Sequence, residues 1–281
     1  MKKTEEIGLR DPYILVHEGK YYMYGTRNYS VWGPADGFDV YVSEDLNNWE
    51  GPIEIFHRPE GFWATENYWA PECIYHEGMF YLITTLGNPS RTKGIQILKS
   101  KSPMGPFTCI TDGPITPEKW NCIDGTVYND DGTLWLVFSY GLPDEKRGAM
   151  CAARLKEDFT GLEGEPVTMF YAMDAPWANP IPFAKAEFGL DGDVYFSDGP
   201  FLYKENGQLK MIWSSWSEGG YAVGEAVSES GMVQGPWIHG EKPLHDDGGH
   251  GMIFETKEGQ RKLTIHFPNE TPKERAVFID L

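Results

Sequence analysis

Carboxylates recur in one setting along this chain of 281 residues. Asp11 lies in RDPYIL, Asp124 in IDGTVY and Asp198 in SDGPFLY, while the matching places hold Ala70 in WAPECIY and His250 in GHGMIF. Each follows a short polar or small-residue segment and precedes an apolar run, so each stands at the start of a strand. Asp130 and Asp131, in YNDDG, belong instead to a hairpin turn. Three carboxylates and an imidazole brought together could not all keep ordinary pKa values, because close like charges drive them apart. Two carboxyl groups with separated pKa values are what general acid–base chemistry requires.

The elements that position them repeat. RDPYILVHEGKYYMYGT, WAPECIYHEGMFYLITT, IDGTVYNDDGTLWLVFS, SDGPFLYKENGQLKMIWS and GHGMIFETKEGQRKLTIH share one anatomy. A first strand reaches a turn glycine (Gly19, Gly78, Gly132, Gly207 or Gly259), and a second strand then ends in Thr, Ser or His. E-G, D-G and N-G are tight-hairpin signals, and the flanking Tyr, Phe, Ile, Val and Leu suit a pleated, half-buried surface. Gly and Pro interrupt every window long enough for a stable helix. More strand-like sequence follows each hairpin, giving units of about four strands at spacings longer than the roughly 40–50 residues of familiar propeller repeats. The pattern predicts an all-β fold, a five-bladed β-propeller with four-stranded antiparallel blades, as a single domain over residues 1–281. A sandwich would leave the matched registers unexplained. The last unit runs out at ERAVFIDL, which predicts that a strand near one terminus closes the ring against the other. First strands of propeller blades line a central channel, so Asp11, Ala70, Asp124, Asp198 and His250, taken as equivalent, are expected to converge there.

Composition narrows the partners. A net charge of −18 disfavours nucleic acid and anionic membrane, whose phosphates would be repelled. Cys73, Cys109, Cys122 and Cys151 are scattered without a C-x-x-C pair, so they read as buried thiols of a reducing compartment. MKKTEEIGLRDP has no apolar run after its basic start, and no window approaches a transmembrane span. The simplest expectation is a cytoplasmic protein, although a leader removed beforehand would leave no trace in the sequence. Oligomeric state is left open.

RDPYIL, YWAPECIYHEGMFYLITT, IDGTVYNDDG and SDGPFLY resemble the blade-start motifs of glycoside hydrolase family 43, and GGHGMIF with IHFPN resembles its last-blade motif. The likeness covers essentially the whole chain in matching order. It implies a five-bladed propeller of inverting glycosidases that need no cofactor for the chemistry, with Asp11 as general base, Asp124 as the carboxylate that tunes and orients the acid, and Asp198 as general acid. The family's commoner Glu-Gly-Pro is here Asp-Gly-Pro, shorter by one methylene or about 1.5 Å. Inversion wants the two carboxyl groups roughly 6.5–9.5 Å apart, with water between base and sugar. Glu72 and Glu187 are the other carboxylates to weigh as acid.

By the same resemblance, His250 lies beside the substrate or helps hold a hydrated central metal ion such as Ca2+, although no D-x-D-x-D-G loop is present. Trp69 reads either as a platform for a sugar face or as a cap on a blade core. Glu72, two residues beyond Ala70, is placed on the same side by strand alternation and is a candidate for substrate hydroxyls. Arg275 is either a late substrate-binding arginine or a surface charge. Trp32, Trp63, Trp120, Trp177 and Trp216 lie between strands as candidate rim residues. The implied substrates are small pentose glycosides, α-L-arabinofuranosides or β-D-xylosides, and a cytoplasmic setting favours exo action on short oligosaccharides. Two other classes fit the same motifs: a sugar-binding propeller with weak catalysis because its acid is Asp198, and a glycoside phosphorylase. The second needs basic residues for phosphate, and of the blade-start motifs only RDPYIL carries one, Arg10.

Overall fold

The computed structural model describes residues 1–281. The regular secondary structure is almost entirely β-strand, in five antiparallel sheets. The first holds β1 (Lys2–Lys3), β2 (Leu9–His17), β3 (Lys20–Arg27), β4 (Gly37–Ser43) and β5 (Asn48–His57). The second holds β6 (Glu66–His76), β7 (Met79–Asn88), β8 (Arg91–Ser100) and β9 (Thr108–Cys109). The third holds β10 (Cys122–Asp130), β11 (Thr133–Tyr140), β12 (Ala149–Leu155) and β13 (Leu162–Tyr171). A short helix α1 (Ala184–Phe188) leads to the fourth, made of β14 (Asp198–Glu205), β15 (Gln208–Ser217), β16 (Gly220–Ser228), β17 (Trp237–His239) and β18 (His245–Asp246). The fifth is β19 (Gly249–Glu255), β20 (Arg261–Phe267) and β21 (Arg275–Asp280). These are the meandering blades of a five-bladed β-propeller. No helix is long and apolar enough to cross a membrane.

Four of the five hairpins close in two residues, His17 pairing with Lys20, His76 with Met79, Asp130 with Thr133 and Glu205 with Gln208. Both turn residues have positive φ, as at Glu18 (47°) and Gly19 (74°) or Asn206 (50°) and Gly207 (78°). That is the type I′ geometry whose twist matches the strands it joins.

The fifth sheet departs from expectation. It keeps three strands where four were expected, and the N-terminal β1 pairs with β5 of the first sheet. The start of β2 and the residue before β21 are linked by other contacts: Leu9 N–H donates to Glu274 O at 3.2 Å, and Arg10 Nη1 reaches Glu274 Oε1 at 2.7 Å.

Contacts group the chain into two compact units, Met1–Ile115 with Gly251–Leu281, and Thr116–His250. In the first, Tyr22, Tyr24, Phe38, Val40, Phe80, Leu82 and Leu98 form the core between the first two sheets. Trp49, Phe254 and Phe278 join the fifth sheet to the first, with ring centroids 5.9 to 6.4 Å apart. In the second unit Met150, Phe170, Trp177, Met211 and Trp213 fill the space between the third and fourth sheets. His239 is edge-on to Phe170 at 4.6 Å with neither ring nitrogen hydrogen-bonded, and burial lowers its pKa. All four cysteines are free. Burial pushes the thiols up, Cys73 to about 12 and Cys109 and Cys151 to about 11, so none is a reactive thiolate.

Candidate active site

Near the start of each sheet stands a residue in the left-handed region, Asp11 (φ 53°), Ala70 (43°), Asp124 (55°), Gly199 (51°) and His250 (42°), and the second sheet adds Asn67 (55°). In the first four sheets a break in strand pairing coincides with it, between Arg10 and Tyr13, Trp69 and Glu72, Ile123 and Thr126, and Asp198 and Phe201. A bulge of this kind re-aims side chains at the mouth of a strand. It also corrects the expected register. The fourth sheet puts Gly199, not Asp198, at the left-handed place. Asp198 instead matches Arg10, Trp69 and Ile123, the last paired residues before the bulge, and lies opposite Ser214 as Arg10 lies opposite Thr26.

In the second unit, Asp124, Asp198 and His250 form one cluster. One side-chain atom of each lies within 4.8 Å of the others. His250 Nδ1 is 3.6 Å from Asp124 Oδ2, and both side chains are buried. Tyr221 donates its hydroxyl to Asp198 Oδ1 at 2.7 Å, and its ring stacks on Phe196 with planes 13° apart. His250 N–H donates to Ser214 Oγ at 2.9 Å. A Cβ on Gly199 would stand 2.8 Å from His250 Cγ, so the imidazole lies directly on this glycine. Two carboxylates and one imidazole offer three direct donors to a cation, and a Ca2+ shell of 6–8 oxygens would draw the rest from water or backbone.

In the first unit, Asp11 is held at three atoms. Its N–H donates to His266 Nδ1 at 3.2 Å, Thr26 Oγ1 donates to its Oδ2 at 2.6 Å, and its Oδ1 lies 3.3 Å from His266 Nδ1. Thr26 Oγ1 also accepts the N–H of Ala70 at 2.8 Å. His266 is fully buried, and burial lowers its pKa despite the neighbouring Asp11 carboxylate. Trp69 donates Nε1–H to Val31 O at 2.7 Å, meets Trp32 edge-on at 5.7 Å, and carries Lys93 Nζ 5.5 Å from its ring centre. Trp32 is 69% exposed.

Glu72 is buried, and its charge adds to the burial that raises the Tyr13 pKa. The bulge between Trp69 and Glu72 breaks the alternation that was expected to set Glu72 beside Ala70. Glu187 stands exposed on α1. Arg275 serves the backbone, its Nε donating to Glu5 O at 2.9 Å and its Nη1 to Pro272 O and Glu274 O. Of the inter-strand tryptophans, Trp177 is core, Trp120 stacks on Tyr140 at 4.5 Å, Trp63 bonds Gln96, and Trp216 meets Phe183. Sequence reasoning missed Tyr221, Ser214 and His266. The signal for the last two was the Thr, Ser or His that ends every second strand.

The profile described as glycosyl hydrolases family 43 matches residues 6–280. The chain is 23% identical over 276 residues to the extracellular exo-α-(1→5)-L-arabinofuranosidase ArbA of Cellvibrio japonicus, covering 90% of this chain and 72% of that one. It is 25% identical to the non-reducing end α-L-arabinofuranosidase BoGH43B of Bacteroides ovatus over 72% of this chain and 34% of that one. Among solved structures, the endo-arabinase from Bacteroides thetaiotaomicron superposes with a TM-score of 0.89 at 36% identity, covering 99% of this chain and 96% of the other. A matching profile over nearly every residue, carried by the same five blades, makes this chain a member of glycosyl hydrolase family 43 and a glycosidase.

Proposed function

We propose that this enzyme is an inverting glycosidase that releases a pentose, α-L-arabinofuranose or β-D-xylose, from short oligosaccharides, acting in an exo manner as one catalytic domain. The observation that carries it is the Asp124–Asp198–His250 cluster, gathered within 4.8 Å and tied down by Tyr221 and Ser214. The arabinose specificities printed in the names of the relatives support the sugar class.

Asp198 is the proton donor to the leaving oxygen. Tyr221 fixes one of its carboxyl oxygens, Oδ1, at 2.7 Å. Asp124 is the second carboxylate at close range, and a neighbouring negative charge opposes loss of the acid's proton. Asp11 is the base that activates water, its carboxylate oriented by Thr26. His250 packs against Gly199 and Asp124 and fixes the floor under the acid. Trp69, propped by Trp32, offers a sugar platform. A hydrated Ca2+ beside His250 would be structural in this scheme, since the chemistry needs no cofactor. Chelation should lower the melting temperature and leave metal-free turnover measurable below it.

The test is a panel of aryl α-L-arabinofuranosides, aryl β-D-xylosides and the matching short oligosaccharides, with the anomer of the first-formed sugar read by NMR. Inverted monosaccharide from the chain end is expected. A retained anomer would overturn the mechanism, internal cleavage the exo mode, and phosphate-dependent release of a sugar phosphate the hydrolytic reaction.

A further inference from the structure

The residue that ends the second strand of a sheet has a recurrent task. Thr26, at the end of β3, accepts the N–H of Ala70, and Ser214, near the end of β15, accepts the N–H of His250. Both donors are the left-handed residues that begin a sheet. The repeat motif puts His266 at the same place in β20, and it accepts the N–H of Asp11, also left-handed. An imidazole thus replaces a hydroxyl at the one blade start whose residue is the proposed base.

That change has chemical content. A hydroxyl accepts a hydrogen bond in any protonation state it visits, whereas an imidazole nitrogen accepts only when unprotonated. His266 Nδ1 faces the Asp11 N–H at 3.2 Å and Nε2 lies 3.2 Å from Asn269 Oδ1, and a ring proton on Nε2 satisfies both contacts. Full burial works in the same direction by disfavouring the charged ring. Arg10, the nearest cation, is turned to Glu274 at 2.7 Å. The ring is therefore held at both nitrogens, between Asn269 on one side and the N–H and Oδ1 of Asp11 on the other.

We propose that His266 is a positioning residue for the base: its unprotonated Nδ1 takes the Asp11 N–H and holds the left-handed backbone from which the carboxylate projects. The proposal rests on the reading of Asp11 as base. A non-glycine residue in this region is disfavoured, so without its acceptor the Asp11 backbone has reason to relax. Relaxation would swing the carboxylate, and a misplacement near 1 Å costs on the order of 100-fold in rate.

The experiment compares Asp11→Ala, His266→Ala and His266→Thr on the aryl pentoside and the oligosaccharide that the enzyme turns over, with thermal unfolding in parallel. His266→Ala should lose about 100-fold in kcat with KM within about twofold, equally on both substrates, because base function does not depend on the leaving group. His266→Thr, which restores a hydroxyl of the kind found at Thr26, should recover about tenfold of that loss. In the wild type, 15N NMR of the imidazoles should show one buried Nε2–H tautomer that persists below pH 6. Wild-type kcat in His266→Ala, a change in KM alone, or a lowered melting temperature with unchanged kcat below it would each overturn the proposal. So would a protonated Nδ1 in the wild type, a reading that stands even if neither variant folds. Full activity in Asp11→Ala would sink the base assignment instead, a distinct result.

Discussion

Asp198, the proposed acid, is one methylene shorter than the family's commoner Glu. Tyr221 reaches its Oδ1 at 2.7 Å from a ring that is itself stacked on Phe196. The carboxylate is thus directed by a fixed donor and not by a longer side chain. Asp198→Ala should reduce turnover of oligosaccharides by about 10²–10⁴-fold and spare aryl substrates with good leaving groups, which need little protonation. Equal loss on both would take the acid role from Asp198. Tyr221→Phe should cost about tenfold in kcat on oligosaccharides, the worth of one hydrogen bond to a charged group, with a smaller effect on the aryl series. Asp11→Ala should be inactive on both, because no leaving group replaces activation of water.

At the scale of elements, the bulge that opens four of the sheets decides where the site residues go. Gly199 is the one member of the left-handed series without a side chain, and His250 occupies the space a Cβ would need. Gly199→Ala should therefore destabilise the protein by about 1–3 kcal/mol through backbone strain and the displaced imidazole, and should lower kcat as well; a melting curve and an activity assay measure the two effects. Much of this level was legible in the sequence. The hairpin glycines named their turns because only a positive φ at both positions closes a two-residue loop between twisted strands. The alignment of Asp198 with Asp11 was not legible, because Asp-Gly-Pro fits the repeat in two registers one residue apart and only the backbone distinguishes them. Likewise the period of two does not carry from Ala70 to Glu72, since the bulge between Trp69 and Glu72 interrupts it. The Thr, Ser or His closing each second strand was visible as a pattern, but its task involves a partner far along the chain, as Thr26 does with Ala70.

For the molecule as a whole, buried ionisable groups set an acid limit. His239 and His266 both have pKa values lowered, chiefly by burial. Below about 6.5 the unfolded chain binds protons that these rings refuse in the native state. Stability is therefore full above that value and falls as pH drops through it. Glu274 acts in the same sense at lower pH: burial raises its pKa, but Thr271 and Arg10 outweigh it and hold the carboxyl below its ordinary value. The melting temperature should hold near pH 7.5 and decline from about pH 6.5 downward; a flat profile to pH 4.5 would refute the linkage. Glu274 is fully buried and bound to Arg10, so Glu274→Ala should cost about 3–5 kcal/mol by leaving the guanidinium uncompensated.

The acceptors Thr26, Ser214 and His266 have a consequence for hydrogen–deuterium exchange. The amides of Ala70, His250 and Asp11 are bonded to side chains distant in sequence and not to a neighbouring strand of their own ladder. Fraying of a single strand end does not release them. They should exchange on the slow time scale of larger openings, and so serve as three built-in clocks for how long each blade start stays shut.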